Sequence, residues 1–103
     1  HKAIILSEAF PVLKVDFFYL TSKNDDARCT CLSLVCTRSG ALAGCAVPSK
    51  STTYVVEFII HTVGEWGYIE VTIQSDQEPA LLAILQKVKE GRTHTSHLRR
   101  APR

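Results

Sequence analysis

The sequence has no apolar run long enough to span a membrane, and no charged segment followed by an apolar stretch that would form a secretory leader. It contains no internal repeat and no low-complexity tract. Its first residue is His1 rather than methionine, from which we expect a fragment or a gene model without its true start. From these absences we do not expect a membrane as a partner.

The composition is ordinary for a globular protein. The 103 residues are 46% hydrophobic and 21% charged, which argues against disorder. A chain of this length forms one domain, or part of one, and can bury a core of modest size.

The four cysteines do not have the spacing of a zinc ribbon. Cys29, Cys31, Cys36 and Cys45 follow the pattern C-x-C-x4-C-x8-C, which lacks paired C-x2-C knuckles. Cys29 and Cys31 lie two residues apart in a predicted strand, so they share one face, which is poor geometry for a disulfide between them. Since no leader precedes them, we expect small buried thiols in a reducing compartment.

The charge of the sequence is unevenly distributed. Residues 1–86 carry six basic and nine acidic residues, a net charge of −3, whereas residues 87–103 carry six basic residues and one acidic residue, a net charge of +5. This second segment could contact nucleic-acid phosphates, or it could be a solvated, partly disordered tail. Its basic residues are Lys87, Lys89, Arg92, Arg99, Arg100 and Arg103.

The first half of the sequence predicts three strands, over residues 12–20, 29–37 and 41–47. Turn residues at 22–26 and 38–40 separate these strands, because Asn, Asp and Gly favour tight bends. Connections this short predict an antiparallel meander.

The next segment changes from strand to helical periodicity. An apolar stripe at helical spacing predicts a helix that begins at Ser51 or Thr52 and ends near Trp66. A fourth strand is predicted over residues 68–74, with its odd-numbered residues on the apolar face.

A second helix is predicted over residues 80–89. Ser75 and Glu78 have the spacing of a capping box at its start, and Gly91 terminates it. Residues 93–95 could begin a short fifth strand.

The most informative residue is Asp16, which lies in the apolar run from Val12 to Leu20. A strand of this composition is expected to be buried on both faces, and a buried carboxylate must be paired, neutralised or bound to a metal. Asp76 follows another strand-like run, so two strands deliver two aspartates. This pattern suggests a divalent-metal site for phosphoryl chemistry. The alternative for Asp16 is an ion pair with Lys14 or with an arginine elsewhere.

The predicted order of elements is strand, strand, strand, helix, strand, helix and short strand. Three antiparallel strands followed by crossovers give an α/β mixed sheet with helices packed on it, a topology that resembles the ribonuclease H-like fold. The segments around Asp16 (VDFFYL) and Asp76 (SDQEPA) resemble the integrase catalytic core of retrotransposon polyproteins. The resemblance covers residues 12–95 and is sharpest at SDQEPA, which in that family opens the helix after the fourth strand.

The resemblance implies a role for each aspartate. Asp16 corresponds to the first catalytic carboxylate of the family and Asp76 to the second. In such enzymes two Mg²⁺ ions, or Mn²⁺ in their place, sit between these aspartates and a third carboxylate, usually glutamate, and the substrate is DNA. The resemblance also implies homo-oligomerisation through the core and an intracellular, nuclear location. The candidate nucleic-acid contacts are Lys87, Lys89, Arg92, Arg99 and Arg100.

The sequence departs from the family pattern after Asp76. The third carboxylate and the glycine-bearing loop before it belong beyond Arg103, and Glu90 lies one helix too early to replace that carboxylate. No His-His-Cys-Cys zinc segment precedes Asp16. We therefore expect a C-terminally incomplete, amino-terminal piece of an integrase core that is inactive alone.

Three regions follow from this interpretation: a connector over residues 1–11, the partial catalytic core over 12–95, and a basic tail over 96–103 that begins the missing active-site loop. Two other functions stay open. Another ribonuclease H-like nuclease fragment would share both aspartates but place its third carboxylate elsewhere. A non-catalytic α/β interaction module would hold Asp16 in an ion pair.

Overall fold

The computed structural model describes residues 10–21, 28–47 and 52–100. The predicted turn at 22–26 and the first nine residues of the predicted connector lie outside these ranges. Neither described helix is long and apolar enough to cross a membrane. The elements are β1 (Val12–Thr21), β2 (Arg28–Cys36), β3 (Leu42–Ala46), α1 (Thr52–Glu65), β4 (Val71–Ser75), α2 (Pro79–Gly91) and β5 (Ser96–Arg100).

These strands form one five-stranded sheet in the order β3-β2-β1-β4-β5. β2 pairs antiparallel with both β1 and β3, whereas β4 pairs parallel with both β1 and β5. Parallel neighbours require a crossover, and α1 and α2 lie in the connections that lead into β4 and β5. The prediction of an α/β mixed sheet is therefore confirmed, with β1 as the central strand.

The two faces of this sheet are covered differently. Along β1, Leu13 and Val15 are buried, whereas Lys14 and Asp16 are exposed, because successive side chains of a strand point to opposite faces. Both helices pack on the face of Leu13 and Val15. We call the other face, which neither described helix covers, the open face. The core consists of Leu13, Val15, Leu32, Leu34, Cys36, Val55, Ile59, Val63, Val71, Ile73, Leu81, Ile84, Leu85 and Val88.

The expectation that the strand around Asp16 is buried on both faces is wrong. The side chain of Asp16 lies on the open face and is exposed to solvent. Phe18 and Leu20, whose apolar character suggested a second covered face, lie on the same face and are 41% and 57% exposed. A continuous apolar run marks a doubly buried strand only where helices cover both faces of the sheet.

β4 begins later than predicted. It starts at Val71 rather than at residue 68, and only Val71, Ile73 and Ser75 are buried along it. Ile69, which the alternation assigned to the apolar face, is 64% exposed. Residues 68–70 instead belong to the reversal that follows α1, so the period-two pattern extends beyond the strand.

β5 also differs from its prediction. It comprises Ser96–Arg100 rather than residues 93–95, so most of the predicted basic tail over 96–103 is a paired strand. Leu98 pairs with Ile73 and packs against the core. The strand was hard to predict because Leu98 is its only apolar residue.

The start of α2 does not contain the predicted capping box. Glu78 is the N-cap residue, and no side chain caps the helix. Ser75 instead donates to the backbone carbonyl of Asp76 (3.0 Å), and Asp76 Oδ1 accepts the backbone amide of Glu78 (3.1 Å). Proline in the first turn has no amide to satisfy, so the helix starts without the box.

Two reversals use glycine at positive φ. Gly40 (φ 80°) closes the predicted turn between β2 and β3, and Gly67 (φ 79°) turns the chain after α1. Left-handed backbone of this kind is open to glycine without strain. Trp66 and Tyr68 flank the second reversal, edge to face with ring centroids 6.4 Å apart, and pack against the core beside it.

All four cysteines are free thiols. Cys31 and Cys36 are buried and Cys45 is half-buried, and burial raises the pKa of the Cys31 and Cys45 thiols. Cys29 is exposed, so the expectation of burial is wrong for this residue. It lies at the start of β2 beside Leu20, on the open face.

Cys36 belongs to a hydrogen-bonded group at the end of β2. Its Sγ lies 3.0 Å from the hydroxyl oxygen of Tyr68, which in turn lies 3.4 Å from Ser39 Oγ. Burial raises the pKa of the Cys36 thiol, but hydrogen bonds from Ser39, from Tyr68 and from the backbone amides of Ser39 and Arg38 outweigh it. Together they lower the pKa from 9.0 to about 7.

We expect the free energy of unfolding to rise between about pH 7 and pH 9, because the unfolded thiol keeps its proton over this range and the folded one has lost it. The same contribution is lost as the pH falls through the folded pKa. Urea unfolding at several pH values measures the slope of the free energy of unfolding against pH. Tyr68→Phe, which removes a hydrogen bond, and Cys36→Ala, which removes the titrating group, should both flatten it. An unchanged slope in Cys36→Ala would assign the effect to another group.

Candidate functional site

Asp16 and Asp76 lie on neighbouring strands. β1 and β4 are parallel, with Lys14 beside Gln74 in the register. Asp16 and Asp76 each lie two residues beyond this last pair, Asp76 directly after the end of β4, and both line one cleft. Adjacent strands are about 4.8 Å apart. The fold therefore brings the two aspartates to one place, although 60 residues of sequence separate them.

The two carboxylates line one cleft at the end of β4. The cleft has a volume of about 240 Å³. Asp16 and Asp76 are both exposed, so an ion or a substrate can reach their oxygens from solvent. The lining residues are Lys14, Val15, Asp16, Gln74, Ser75 and Asp76.

Asp76 is held by the chain that follows it. Its Oδ1 accepts the Glu78 amide, while the described part of the chain places no donor on its second oxygen. α2 starts three residues later, at Pro79. The partial positive charge at a helix N-terminus favours a carboxylate or a phosphate nearby. This turn therefore fixes Asp76 and leaves one of its oxygens for a ligand.

The alternative of a paired Asp16 finds no partner among residues 10–21, 28–47 and 52–100. The ion pairs in these ranges join His61 to Glu65 (3.2 Å) and His97 to Glu70 (2.6 Å). Lys14, although on the same strand face, forms no ion pair with Asp16. Among the described residues the Asp16 carboxylate is therefore exposed to solvent and has no ion-pair partner.

The donor set of the cleft suits a hard divalent cation. Mg²⁺ prefers oxygen ligands, keeps several waters and is often held by one or two carboxylates together with substrate phosphates. Asp16 and Asp76 supply two such carboxylates in one cleft. Within the described ranges no group of three or more His, Cys, Asp or Glu side chains could hold a metal. The two aspartates therefore fit Mg²⁺ or Mn²⁺, with water or phosphate completing the coordination.

Two of the predicted nucleic-acid contacts lie near this cleft. Arg99 and Arg100 are exposed at the end of β5, and both line a second cleft of about 180 Å³ between β5 and α2. Arg99 Nε donates to Gln74 Oε1 at 2.8 Å, so it reaches a side chain that also lines the carboxylate cleft. Ser75 lines both clefts. Arg99 therefore adds a positive charge beside the carboxylates, whereas Arg100, which pairs with the buried Ser75, lies on the side of the helices.

The other predicted contacts lie elsewhere. Lys87 and Lys89 are exposed on α2, roughly 12–15 Å along the helix axis from its start beside the cleft. Arg92 Nη2 donates to the backbone carbonyl of Ile69, a residue of the segment that precedes β4. Burial lowers the pKa of the Arg92 guanidinium. These three residues do not join Asp16 and Asp76, and Arg92 has a structural role of its own.

Lys14 and Gln74 line the cleft but were missing from the predicted site. Each lies two residues before one of the aspartates, and side chains two apart in a strand share a face. The period-two spacing alone could therefore have identified both residues.

Retroviral integrase structures are among the solved structures with a similar fold. The chain superposes on a chain of the simian T-cell lymphotropic virus intasome in complex with PP2A regulatory subunit B56 gamma, with a TM-score of 0.64 and 16% identity over 84% of this chain and 31% of that chain. It superposes equally on the HTLV-2 integrase catalytic core domain in complex with magnesium. The dimeric form gives a TM-score of 0.62 and 16% identity, over 84% of this chain and 59% of that chain. The trimeric form gives the same TM-score and identity, over 84% of this chain and 57% of that chain.

No family model and no curated protein matches the sequence. At 16% identity the superpositions establish the fold and not the activity. The chain thus has an integrase-like ribonuclease H fold. It spans less than two thirds of the length of each of these three chains.

Proposed function

We propose that this chain is part of an integrase-type catalytic core of retrotransposon origin, in which Asp16 and Asp76 bind Mg²⁺ or Mn²⁺ for phosphoryl transfer on DNA. The observation that carries the proposal is the cleft that the two aspartates share at neighbouring strands. The integrase-like fold supports it, because one structure with that fold is a catalytic core in complex with magnesium.

The chain's own residues hold and orient the reacting groups. Asp16 and Asp76 would hold a divalent ion, which would supply Lewis-acid activation of the attacking oxygen and charge stabilisation of the leaving oxygen. Asp16 offers its carboxylate from the central strand, and Asp76 offers the oxygen that the Glu78 amide leaves free. Lys14 adds a positive charge to the same cleft, which attracts a phosphate and weakens the hold on a cation.

DNA is the proposed partner, with Arg99 and Arg100 as the contacts nearest the cleft. Arginine binds phosphate oxygens through two parallel hydrogen bonds, and such contacts position the duplex without reading its sequence. Lys87 and Lys89 would require the DNA to extend along α2. Assembly of several copies is part of the proposal, since two of the similar structures are a dimeric and a trimeric core.

We also propose that the chain is inactive by itself. Integrase chemistry uses a third carboxylate, and the described residues place only Asp16 and Asp76 as acids in the cleft. Metal binding and catalysis are therefore separate expectations: two carboxylates with water can hold an ion, whereas the reaction requires the third.

Metal binding tests the proposal. Millimolar Mg²⁺ or Mn²⁺ should raise the melting temperature of the chain, because a ligand that binds only the folded state stabilises it. Asp76→Asn should remove that rise, since a neutral amide replaces a charged ligand. Glu90→Gln is the matched control, because it makes the same change of charge at an exposed residue of α2 outside the cleft. It should keep the full rise.

The outcomes separate the candidate functions. A melting temperature that does not change at millimolar Mn²⁺ would contradict the metal site and favour the non-catalytic interaction module. A rise that survives in Asp76→Asn would place the ion at another site on the protein.

A further inference from the structure

We propose that Cys29 and Cys31 form a binding site for a soft metal ion of low coordination number, such as Cu(I), on the open face of the sheet. Their Sγ atoms lie 3.9 Å apart. Both residues belong to β2 and are separated by one residue, so their side chains share a face. The site uses neither aspartate and does not depend on the function proposed above.

The separation of the two sulfurs fits two bonds to one ion. Two metal–thiolate bonds of about 2.3 Å that meet at a trigonal angle place their sulfurs roughly 4.0 Å apart, with the third position of the ion left for a small ligand from solvent. The distance between Cys29 Sγ and Cys31 Sγ is close to this value. An ion can therefore bridge the thiols without a shift of the β2 backbone.

A disulfide does not fit the same pair. It requires sulfurs about 2.05 Å apart and Cα atoms no more than about 6.8 Å apart. Two strand residues separated by one other lie roughly 6.6 Å apart, near that limit. Closing the gap of 3.9 Å would therefore strain the strand, whereas an ion fills it.

The remaining cysteines cannot turn this pair into a four-thiolate zinc site. Cys36 pairs with Leu13 and Cys45 with Leu32 in the strand registers, so both lie on the helix-covered face of the sheet. Structural zinc sites use four ligands. The pair is thus better suited to Cu(I), which soft thiolates select and which accepts fewer ligands.

The surroundings favour a soft ion over a hard one. In the register between β1 and β2, Phe18 lies beside Cys31 and Leu20 beside Cys29, so neither neighbour offers an oxygen ligand. Cys29 is exposed whereas Cys31 is 6% exposed, so one thiol is reachable from solvent and the other is fixed in the sheet. Binding replaces two S–H bonds with two metal–sulfur bonds, releases two protons and leaves the oxidation states unchanged.

A Cu(I) titration of the full chain tests the site. It is carried out under anaerobic, reducing conditions, with the chromophoric chelator bicinchoninate as a competitor for the ion. We expect one Cu(I) bound per chain. Loss of a second-shell partner already lowers metal affinity roughly 10–100-fold, so Cys29→Ser and Cys31→Ser should each weaken binding by at least tenfold. Cys45→Ser, on the other face, is the matched control and should bind as the wild type does.

Three results would overturn the site: no Cu(I) withheld from the competitor, binding unchanged in Cys29→Ser, or binding equally weakened in Cys45→Ser. Because Cys29 is exposed, its substitution should leave the fold intact and decides the question even if Cys31→Ser fails to fold. The response of the melting temperature to Mn²⁺ should be the same in Cys29→Ser and wild type, which distinguishes failure of this site from failure of the carboxylate site.

Discussion

Val15→Asn should lower the free energy of unfolding by about 3–5 kcal/mol, whereas Asp16→Asn at the next position should change it by no more than about 0.5 kcal/mol. Val15 is 2% exposed inside the core, so its replacement removes a buried apolar side chain and leaves an amide without a hydrogen-bond partner. Asp16 is exposed on the open face and makes no ion pair with the described residues.

Urea unfolding without metal, followed by circular dichroism, measures both changes. A loss of this size is a large part of the 5–15 kcal/mol that stabilises a typical domain, so Val15→Asn is expected to be partly unfolded at room temperature. Val15→Ala is the matched control for the apolar contribution alone. It should lower the free energy of unfolding by less than Val15→Asn and by more than Asp16→Asn. If Asp16→Asn destabilised the fold as much as Val15→Asn does, Asp16 would be a buried structural residue and its role as an accessible ligand would be refuted.

The double variant Leu20→Lys, Leu42→Lys should weaken self-association of the chain by about two orders of magnitude or more. Leu20 is 57% and Leu42 71% exposed, both on the open face, and β3, which carries Leu42, is an edge strand. Each leucine buried by association contributes about 1.5–3 kcal/mol, and every 1.4 kcal/mol is tenfold in affinity. Lysine on an edge strand also blocks pairing with another chain.

Static light scattering over a range of concentrations measures the association, and thermal unfolding shows whether the fold is kept. Ile69→Lys is the matched control, because Ile69 is 64% exposed but lies in the reversal before β4 rather than on the sheet. A wild-type chain that stays monomeric at every concentration would contradict self-association through the open face.

The contrast between Val15→Asn and Asp16→Asn bears on the role of Asp16 in the candidate site. A carboxylate that contributes little to stability, on a strand that contributes much, is free to take a role in binding. Its backbone is nevertheless held in the sheet, since Asp16 pairs with Ser33 of β2 and lies two residues beyond the last pair of β1 with β4. Sites on rigid elements hold their geometry better than sites on loops.

The sequence alone predicted the seven elements in their observed order within the described ranges, because periodicity and turn residues are local properties of the chain. The alternation of Val71, Ile73 and Ser75 predicted a strand, and the apolar stripe of α1 a helix. The ends of elements were less well predicted. β5 has a single apolar residue, Leu98, and exists because its backbone pairs with β4, which no local pattern reveals.

For the site, the sequence predicted Asp16 and Asp76, which line one cleft, but the burial expected for Asp16 is wrong. The apolar run around Asp16 predicted a buried carboxylate, and the structure shows an exposed one. Which face of a strand is covered depends on where distant helices pack, and both described helices pack on the face opposite Asp16.

Sequence by itself therefore determined which residues could do chemistry and which segments form strands and helices, because residue type and local periodicity are written in the chain. Only the tertiary structure decided that Asp16 and Asp76 share a cleft and that Cys29 and Cys31 lie apart from Cys36 and Cys45. The physical reason is that strand register and helix packing join positions far apart in sequence, and these contacts are set by the burial of the whole core.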